Sequence, residues 1–144
     1  FMIVGANDYN SPNKVYIEYL KYLKKKNIIK FLGYKQDVSK ILKKTEIFCL
    51  PSYREGMPKV VLEALSSGVP VVTTNVPGCK ESILNNYNGL LCKPCDHLDL
   101  SKKIEKLISS KKLRKKLSIN ASLYAKKNFS ITSVTKKIYK IYNL

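Results

Sequence analysis

The sequence predicts an α/β fold with a parallel sheet flanked by helices and a helical C-terminus. Three observations predict it. Five short apolar runs are continuous rather than alternating, the pattern of strands covered on both faces of a parallel sheet. Helical spacing or turn chemistry fills the segments between them, giving the strand-helix alternation of such folds. Beyond residue 96 the strand signals stop, and apolar residues recur only at helical spacing.

Phe1, Met2, Ile3 and Val4, closed by Gly5, read as a first buried strand. Residues 7–13 are turn chemistry, with Pro12 suited to a helix's first turn. Val15, Tyr16, Tyr19, Leu20 and Leu23 then keep helical spacing, with Lys on the other face. Residues 28–32 form a second strand closed by Gly33, and Val38, Ile41 and Leu42 mark a short amphipathic helix. Residues 47–50 form a third strand, stopped by Pro51. Residues 58–67 read as a helix apolar nearly all round, and Gly68 stands where a left-handed cap is favoured. A fourth strand, β-branched except for Pro70, covers residues 69–74. A turn over 75–78, a short helix over 79–85 and a fifth strand over 89–92 follow. Terminal helices are expected over 97–127 and 130–143, with Ser130 as an N-cap. Their apolar stripes are Leu98, Ile104, Leu107 and Ile108, then Leu113, Leu117, Ala121 and Tyr124, then Ile131, Val134, Ile138 and Ile141. Right-handed crossovers make such a sheet Rossmann-like, and ligands bind beyond the carboxyl ends of its strands. Those ends are Gly5, Gly33, residues 51–58 and residues 74–78.

The 144 residues fit one domain able to bury a substantial core. A composition 44% hydrophobic and 26% charged excludes a disulfide mini-scaffold and a disordered tail. Residues 1–5 are too short for a signal peptide's apolar core, and the chain opens without an initiator Met, which reads as a piece of something longer. The net charge of +17 is uneven: +6 over residues 1–50, −1 over 51–100 and +12 over 101–144. Nearly all of the excess is Lys, and only Arg54 and Arg114 are arginines. Arg is the better reader of phosphates and bases, so nucleic acid ranks last among the partners. A solvated Lys-rich surface ranks first and an anionic membrane surface or acidic polymer second. On that second reading the Ile and Leu stripes pack inward while Lys102, Lys103, Lys106, Lys111, Lys112 and Lys115 project outward. Cys92 and Cys95 have redox or half-zinc-site spacing, but Cys49, Cys79 and the single His97 supply no second pair. Reduced thiols in a cytoplasmic protein are the default.

One loop carries chemistry: Pro51-Ser52-Tyr53-Arg54-Glu55-Gly56-Met57-Pro58-Lys59. It joins a buried strand to a buried helix whose first turn starts at Pro58. The N–H groups near Val60 and Val61 are expected to point out of the helix terminus, a site suited to an anion such as diphosphate. A plain strand-to-helix turn fits the same residues. Glu63 is a lone carboxylate in that apolar helix, on one stripe with Lys59 and Ser67. It belongs either to a solvent-facing stripe or to a ligand crevice, where sugar hydroxyls would satisfy it.

From Gly33 to Gly89 the sequence resembles the nucleotide-sugar-binding half of the retaining group-1 glycosyltransferases of the GT-B fold, which build capsular, lipopolysaccharide and other glycans. The matching stretches are residues 31–34, 51–58, 62–64, 68–72, 77–78, Glu81 and 88–91, with Glu55 and Glu63 as the two ends of the E-x7-E signature. The resemblance implies that Glu55 acts at the donor sugar's anomeric centre and that Glu63 binds the ribose. It implies that the backbone of Gly56, Met57, Pro58, Lys59 and Val60 holds the diphosphate and sugar, and that Gly33, Tyr34 and Lys35 lie beside the base. Arg54, Pro77, Gly78 and Glu81 would rim the crevice. It implies no metal and no cofactor beyond a nucleoside-diphosphate-sugar donor, because the helix terminus and basic side chains stabilise the departing diphosphate.

Such enzymes carry an N-terminal acceptor domain, to which nothing here corresponds, and their second domain starts one strand and helix earlier. Residues 1–144 thus read as a donor-binding domain incomplete at its N-terminus and inactive alone, its acceptor a glycan or lipid-linked sugar. Its expected place is the cytoplasm, peripheral at the inner face of the membrane. The competing class is a non-catalytic basic α/β module for nucleic acid or an acidic polymer. The acidic Glu55, Glu63 and Glu81 in the neutral middle of the chain favour the enzyme.

Overall fold

The computed structural model describes residues 1–5 and 17–143. The turn expected over 7–13, Pro12, and Val15 and Tyr16 of the first stripe lie outside the described residues. The chain divides into two compact units, Phe1–Val38 and Ser39–Leu144.

The first unit holds β1 (Met2–Ile3), α1 (Ile17–Lys25) and β2 (Lys30–Phe31). The two strands pair in parallel, Met2 opposite Lys30 and Ile3 opposite Phe31. The first apolar run, expected to be buried, is exposed. Among the described residues β1 pairs with β2 alone, and a two-residue ladder leaves its side chains uncovered. Asn27 ends α1 in the left-handed conformation, φ 55°. Its N–H donates to Lys24 O and that of Ile28 to Leu23 O, both at 3.0 Å, the paired bonds that close a helix C-terminus.

The second unit contains α2 (Ser39–Leu42), β3 (Phe48–Leu50), α3 (Lys59–Ser66), β4 (Val71–Thr74), β5 (Gly89–Cys92), α4 (His97–Ser109), α5 (Lys111–Phe129) and α6 (Ile131–Tyr142). Its sheet is parallel in the order β3-β4-β5, with Cys49 opposite Val72 and Val72 opposite Leu90. The central strand β4 is buried throughout, as its continuous β-branched run requires. Val72 and Leu90 meet Leu107 of α4 and Leu117 of α5 in one core cluster, with Ile47, Leu100, Ile104 and Leu113 packed around it. Gly68, at φ +70°, takes the left-handed position expected of it after α3.

Several local expectations are corrected. Residues 79–85 form no helix: turns cover 79–82, Asn85 bridges to Gly89, and the Asn88 side chain accepts the Leu84 N–H at 2.8 Å and donates to Ser82 O at 3.2 Å. The helix expected over 97–127 breaks at Ser110, and its second part runs on to Phe129. Ser110 is extended, its hydroxyl accepts the Leu113 N–H at 3.2 Å, and Arg114 donates to Leu107 O and Ile108 O at 2.7 Å each. One residue therefore closes α4 and opens α5, and Ser130 does the same between α5 and α6. The last apolar stripe is also not packed inward, since Ile131 is 86% and Ile141 74% exposed, and Leu98 and Ile108 of the first stripe are exposed as well. Of the six lysines expected to project outward, Lys103 is half-buried, 3.6 Å from Asp99, and the other five are exposed. Among the described residues no helix is long and apolar enough to cross a membrane.

Candidate functional site

The loop after β3 is tied down by hydroxyls. Thr73 Oγ1 donates to Leu50 O at 2.8 Å, and Thr74 Oγ1 donates to Ser52 O. Ser52 Oγ in turn donates to Glu55 Oε1 at 2.6 Å, so the half-buried Glu55 carboxylate is oriented by a chain of contacts leading back to the end of β4. Gly78 closes the loop from the other side. Its φ is +84°, and a Cβ placed there would lie 2.1 Å from Gly56 O and 2.3 Å from Glu55 O. The 77–78 turn thus rests directly on the backbone of the first glutamate of the signature. Ser82 donates to the Met57 sulfur at 3.2 Å, a second tie to the same loop.

Pro58 is the N-cap of α3, with no side chain bonded to the helix terminus and no acidic residue in its first turn. The expected pair of outward N–H groups shifts by one residue. Val61 N–H is occupied, donating to Pro58 O at 2.9 Å, because the first turn tightens onto the cap carbonyl. Among the described residues it is the N–H groups of Lys59 and Val60 that find no acceptor, so the terminus keeps its partial positive charge.

Glu63 stands one turn further on, with its side chain 37% exposed and 3.7 Å from Lys59 Nζ, itself 90% exposed. It is neither fully buried nor simply solvated. An open groove of about 440 Å³ lies between α3 and α5, with Lys59, Leu62, Glu63 and Ser66 on one wall. Ser122, Ala125, Lys126 and Phe129 form the other, with Ser130 at its end. The expected stripe is corrected at its third member: Ser67 lies past the end of α3, and Ser66 faces the groove. The helical-period reading missed the α5 wall, because Glu63 and Lys126 lie too far apart in sequence to share a local pattern.

Arg54, Pro77 and Glu81 are exposed, Val60 is half-buried and Gly78 is buried. Gly33, Tyr34 and Lys35 belong to the first unit, following Leu32 just past the end of β2, where Gly33 takes φ +67° and its carbonyl accepts the Gly5 N–H at 3.0 Å. Tyr34 and Lys35 are exposed. Cys92 is buried and Cys95 exposed, both as free thiols. Among the described residues no cluster of three or more His, Cys, Asp or Glu could hold a metal ion.

Comparison with known proteins gives this geometry a family. The model of group-1 glycosyl transferases matches residues 1–123. Over 122 residues the chain is 39% identical to N,N'-diacetylbacillosaminyl-diphospho-undecaprenol alpha-1,3-N-acetylgalactosaminyltransferase of Campylobacter jejuni, covering 85% of this chain and 31% of that protein. A glycosyltransferase structure from Rickettsia africae matches with TM-score 0.78 at 27% identity, covering 87% of this chain and 34% of that one. The structure of HepE from Anabaena in complex with UDP matches in fold, with TM-score 0.86 at 22% identity over 99% of this chain and 40% of that one. The chain therefore spans 31–40% of the length of these relatives. Its fold is that of the C-terminal half of GT-B structures. The chain belongs to the group-1 glycosyl transferase family.

Proposed function

We propose that this chain is the donor-binding part of a nucleotide-sugar-dependent glycosyltransferase that passes a sugar, with retention, to a glycan or lipid-linked acceptor. The observation that carries the reading is the uncapped N-terminus of α3, with Glu63 one turn beyond it and Glu55 held in the loop before it. A nucleoside diphosphate suits this arrangement. Its phosphates meet the Lys59 and Val60 N–H groups, backed by the helix dipole, and Glu63 accepts hydrogen bonds from the ribose hydroxyls. Glu55 then lies on the sugar side of the phosphates. In the transfer the bond between anomeric carbon and diphosphate oxygen breaks, and the electron pair leaves with the diphosphate. The acceptor oxygen forms its bond on the same face, and its proton passes to the departing diphosphate. Glu55 orients the sugar and offsets the positive charge that develops at the anomeric carbon. Arg54, Pro77, Gly78 and Glu81 rim the site.

The name of the Campylobacter relative, with an undecaprenol-diphosphate-linked acceptor, supports a lipid-linked acceptor here. The UDP held by HepE supports a nucleoside-diphosphate donor. The exposed lysines of α4 and α5 support a peripheral place at an anionic membrane surface on the cytoplasmic side.

The test separates the two glutamates in the full-length protein. Glu63→Ala should weaken nucleoside diphosphate binding roughly 10- to 100-fold by calorimetry, since hydrogen bonds to charged groups contribute about 1.5–3 kcal/mol. Glu55→Gln should lower turnover at least about tenfold with nucleotide affinity nearly unchanged. UDP, GDP and ADP all binding Glu63→Ala as tightly as wild type would overturn the assignment. Full turnover with lost binding in Glu55→Gln would reverse the two roles.

A further inference from the structure

The donor-binding reading gives no role to α5, yet α5 builds half of the groove that holds Glu63. We propose that Lys126 is a phosphate-recognising residue of the donor site, carried to the N-terminal end of α3 by the antiparallel packing of α5. The proposal rests on the donor-binding reading and adds a residue from a second helix to it.

The packing direction follows from contacts at both ends of α3. A Cβ on Gly68, just past the C-terminus of α3, would lie 3.4 Å from Ser118 Oγ and 4.0 Å from Ser122 Cβ. At the other end, Lys59 and Glu63 share the groove with Lys126 and Phe129. The two helices therefore run in opposite directions, and the buried Ala121 and Ala125 give α5 the small side chains that let it approach. The last turn of α5 comes to the groove that opens beside the first turn of α3.

The charges there are unequally engaged. Lys59 lies 3.7 Å from Glu63, whereas among the described residues Lys126 forms no ion pair. An ammonium on a flexible stem, beside a helix terminus with two open N–H groups, provides two kinds of donor to one anion. The groove's volume of about 440 Å³ falls within the size range of small-molecule sites. A doubly charged diphosphate joined to a hydroxylated sugar uses the two cations, the carboxylate of Glu63 and the groove's serine hydroxyls together.

A plain structural role for Lys126 is also available, since cations in a helix's last turn are favoured by its dipole. Lys127 supplies the control. It occupies the same last turn of α5 but does not line the groove. The experiment uses the full-length protein and its Lys126→Gln, Lys127→Gln and Glu63→Ala variants. UDP, GDP and ADP are titrated by calorimetry, and the parent nucleoside of the tightest binder is followed by ligand-observed NMR. Lys126→Gln should weaken the diphosphate roughly tenfold and leave the nucleoside unchanged, as expected for one charge-assisted contact. Lys127→Gln should match wild type, and Glu63→Ala should weaken both ligands. Wild-type affinity in Lys126→Gln beside a loss in Glu63→Ala would overturn this inference and leave the donor reading standing, as would equal losses in the two lysine variants. Wild type binding none of the three diphosphates would overturn the donor reading and this inference with it.

Discussion

Replacing Gly78 by Ala should be the most damaging single-methyl change in the loop region. The backbone there has φ +84°, a conformation that costs an L side chain about 1–2 kcal/mol. The new methyl carbon would sit 2.1 Å from Gly56 O and 2.3 Å from Glu55 O. Ordinary carbon contacts lie at about 3.5–4.0 Å, so two main-chain carbonyls must retreat by more than about 1 Å. Neither is the end of a flexible side chain, and forced shifts of this kind cost about 1–3 kcal/mol. The total of about 2–5 kcal/mol should appear as a clear fall in Tm. Circular dichroism melts of the full-length protein measure it. Gly56→Ala is the matched control: nothing lies within 4 Å of its added Cβ, and its φ is not in the left-handed region. It should melt within about 2 °C of wild type, as surface changes do. Gly78→Ala that still folds should lose turnover as well, because the retreating carbonyls belong to the residue carrying the Glu55 carboxylate and its neighbour. A Gly78→Ala protein that melts with Gly56→Ala would refute the close approach on which this reasoning stands.

Three further outcomes are expected. Burial, with the Cys92 thiolate adding to it, pushes the Cys49 thiol up to about 11, while Cys95 is exposed. Iodoacetamide at pH 8 should therefore label Cys95 first and spare Cys49 in mass spectra, and equal labelling would count against the burial. The native Cys49 keeps its proton at a pH where the unfolded thiol, near 9.0, has lost it. Its contribution to stability is complete below about pH 9 and is lost as the pH rises towards 11. Cys49→Ala should flatten that part of the melting profile, and an unchanged slope would refute the assignment. Vesicles test the basic surface: the full-length protein should pellet with anionic vesicles at low salt and stay in solution with neutral ones. No pelleting with either would remove the membrane reading.

What the sequence made legible was local. Continuous apolar runs located the five strands among the described residues, and α3 lies between Pro58, whose fixed φ suits the start of a helix, and Gly68, whose left-handed φ suits its end. Glu63 stands out as a carboxylate in an apolar helix, and Glu55 through the E-x7-E spacing of the resemblance. The features that position them were illegible, since each joins distant segments. Ser52 and Thr74 read as ordinary loop and strand residues until their hydroxyls are seen to orient Glu55. Gly78 read as turn punctuation, although its missing Cβ is what admits the Glu55 backbone. The Ser110 break was hidden because the apolar spacing runs through it, and one serine hydroxyl with the Arg114 guanidinium was enough to redirect the chain. The α6 stripe has strong helical periodicity, but periodicity gives no information about whether a neighbour covers it.

The antiparallel seam between α3 and α5 also limits how this chain can vary in length. An α-helix turns about 100° per residue, so one residue inserted in α5 ahead of Ala121 rotates everything after it by that angle. Ala121 and Ala125 would swing out of the seam, and larger neighbours would take their places against α3. Lys126, Phe129 and Ser130 would leave the groove in the same movement. Substitutions along the exposed side of α5 leave this phase intact, whereas single-residue insertions and deletions destroy it. Length differences between related chains should therefore collect in the segments between helices and avoid the stretch from Lys111 to Phe129.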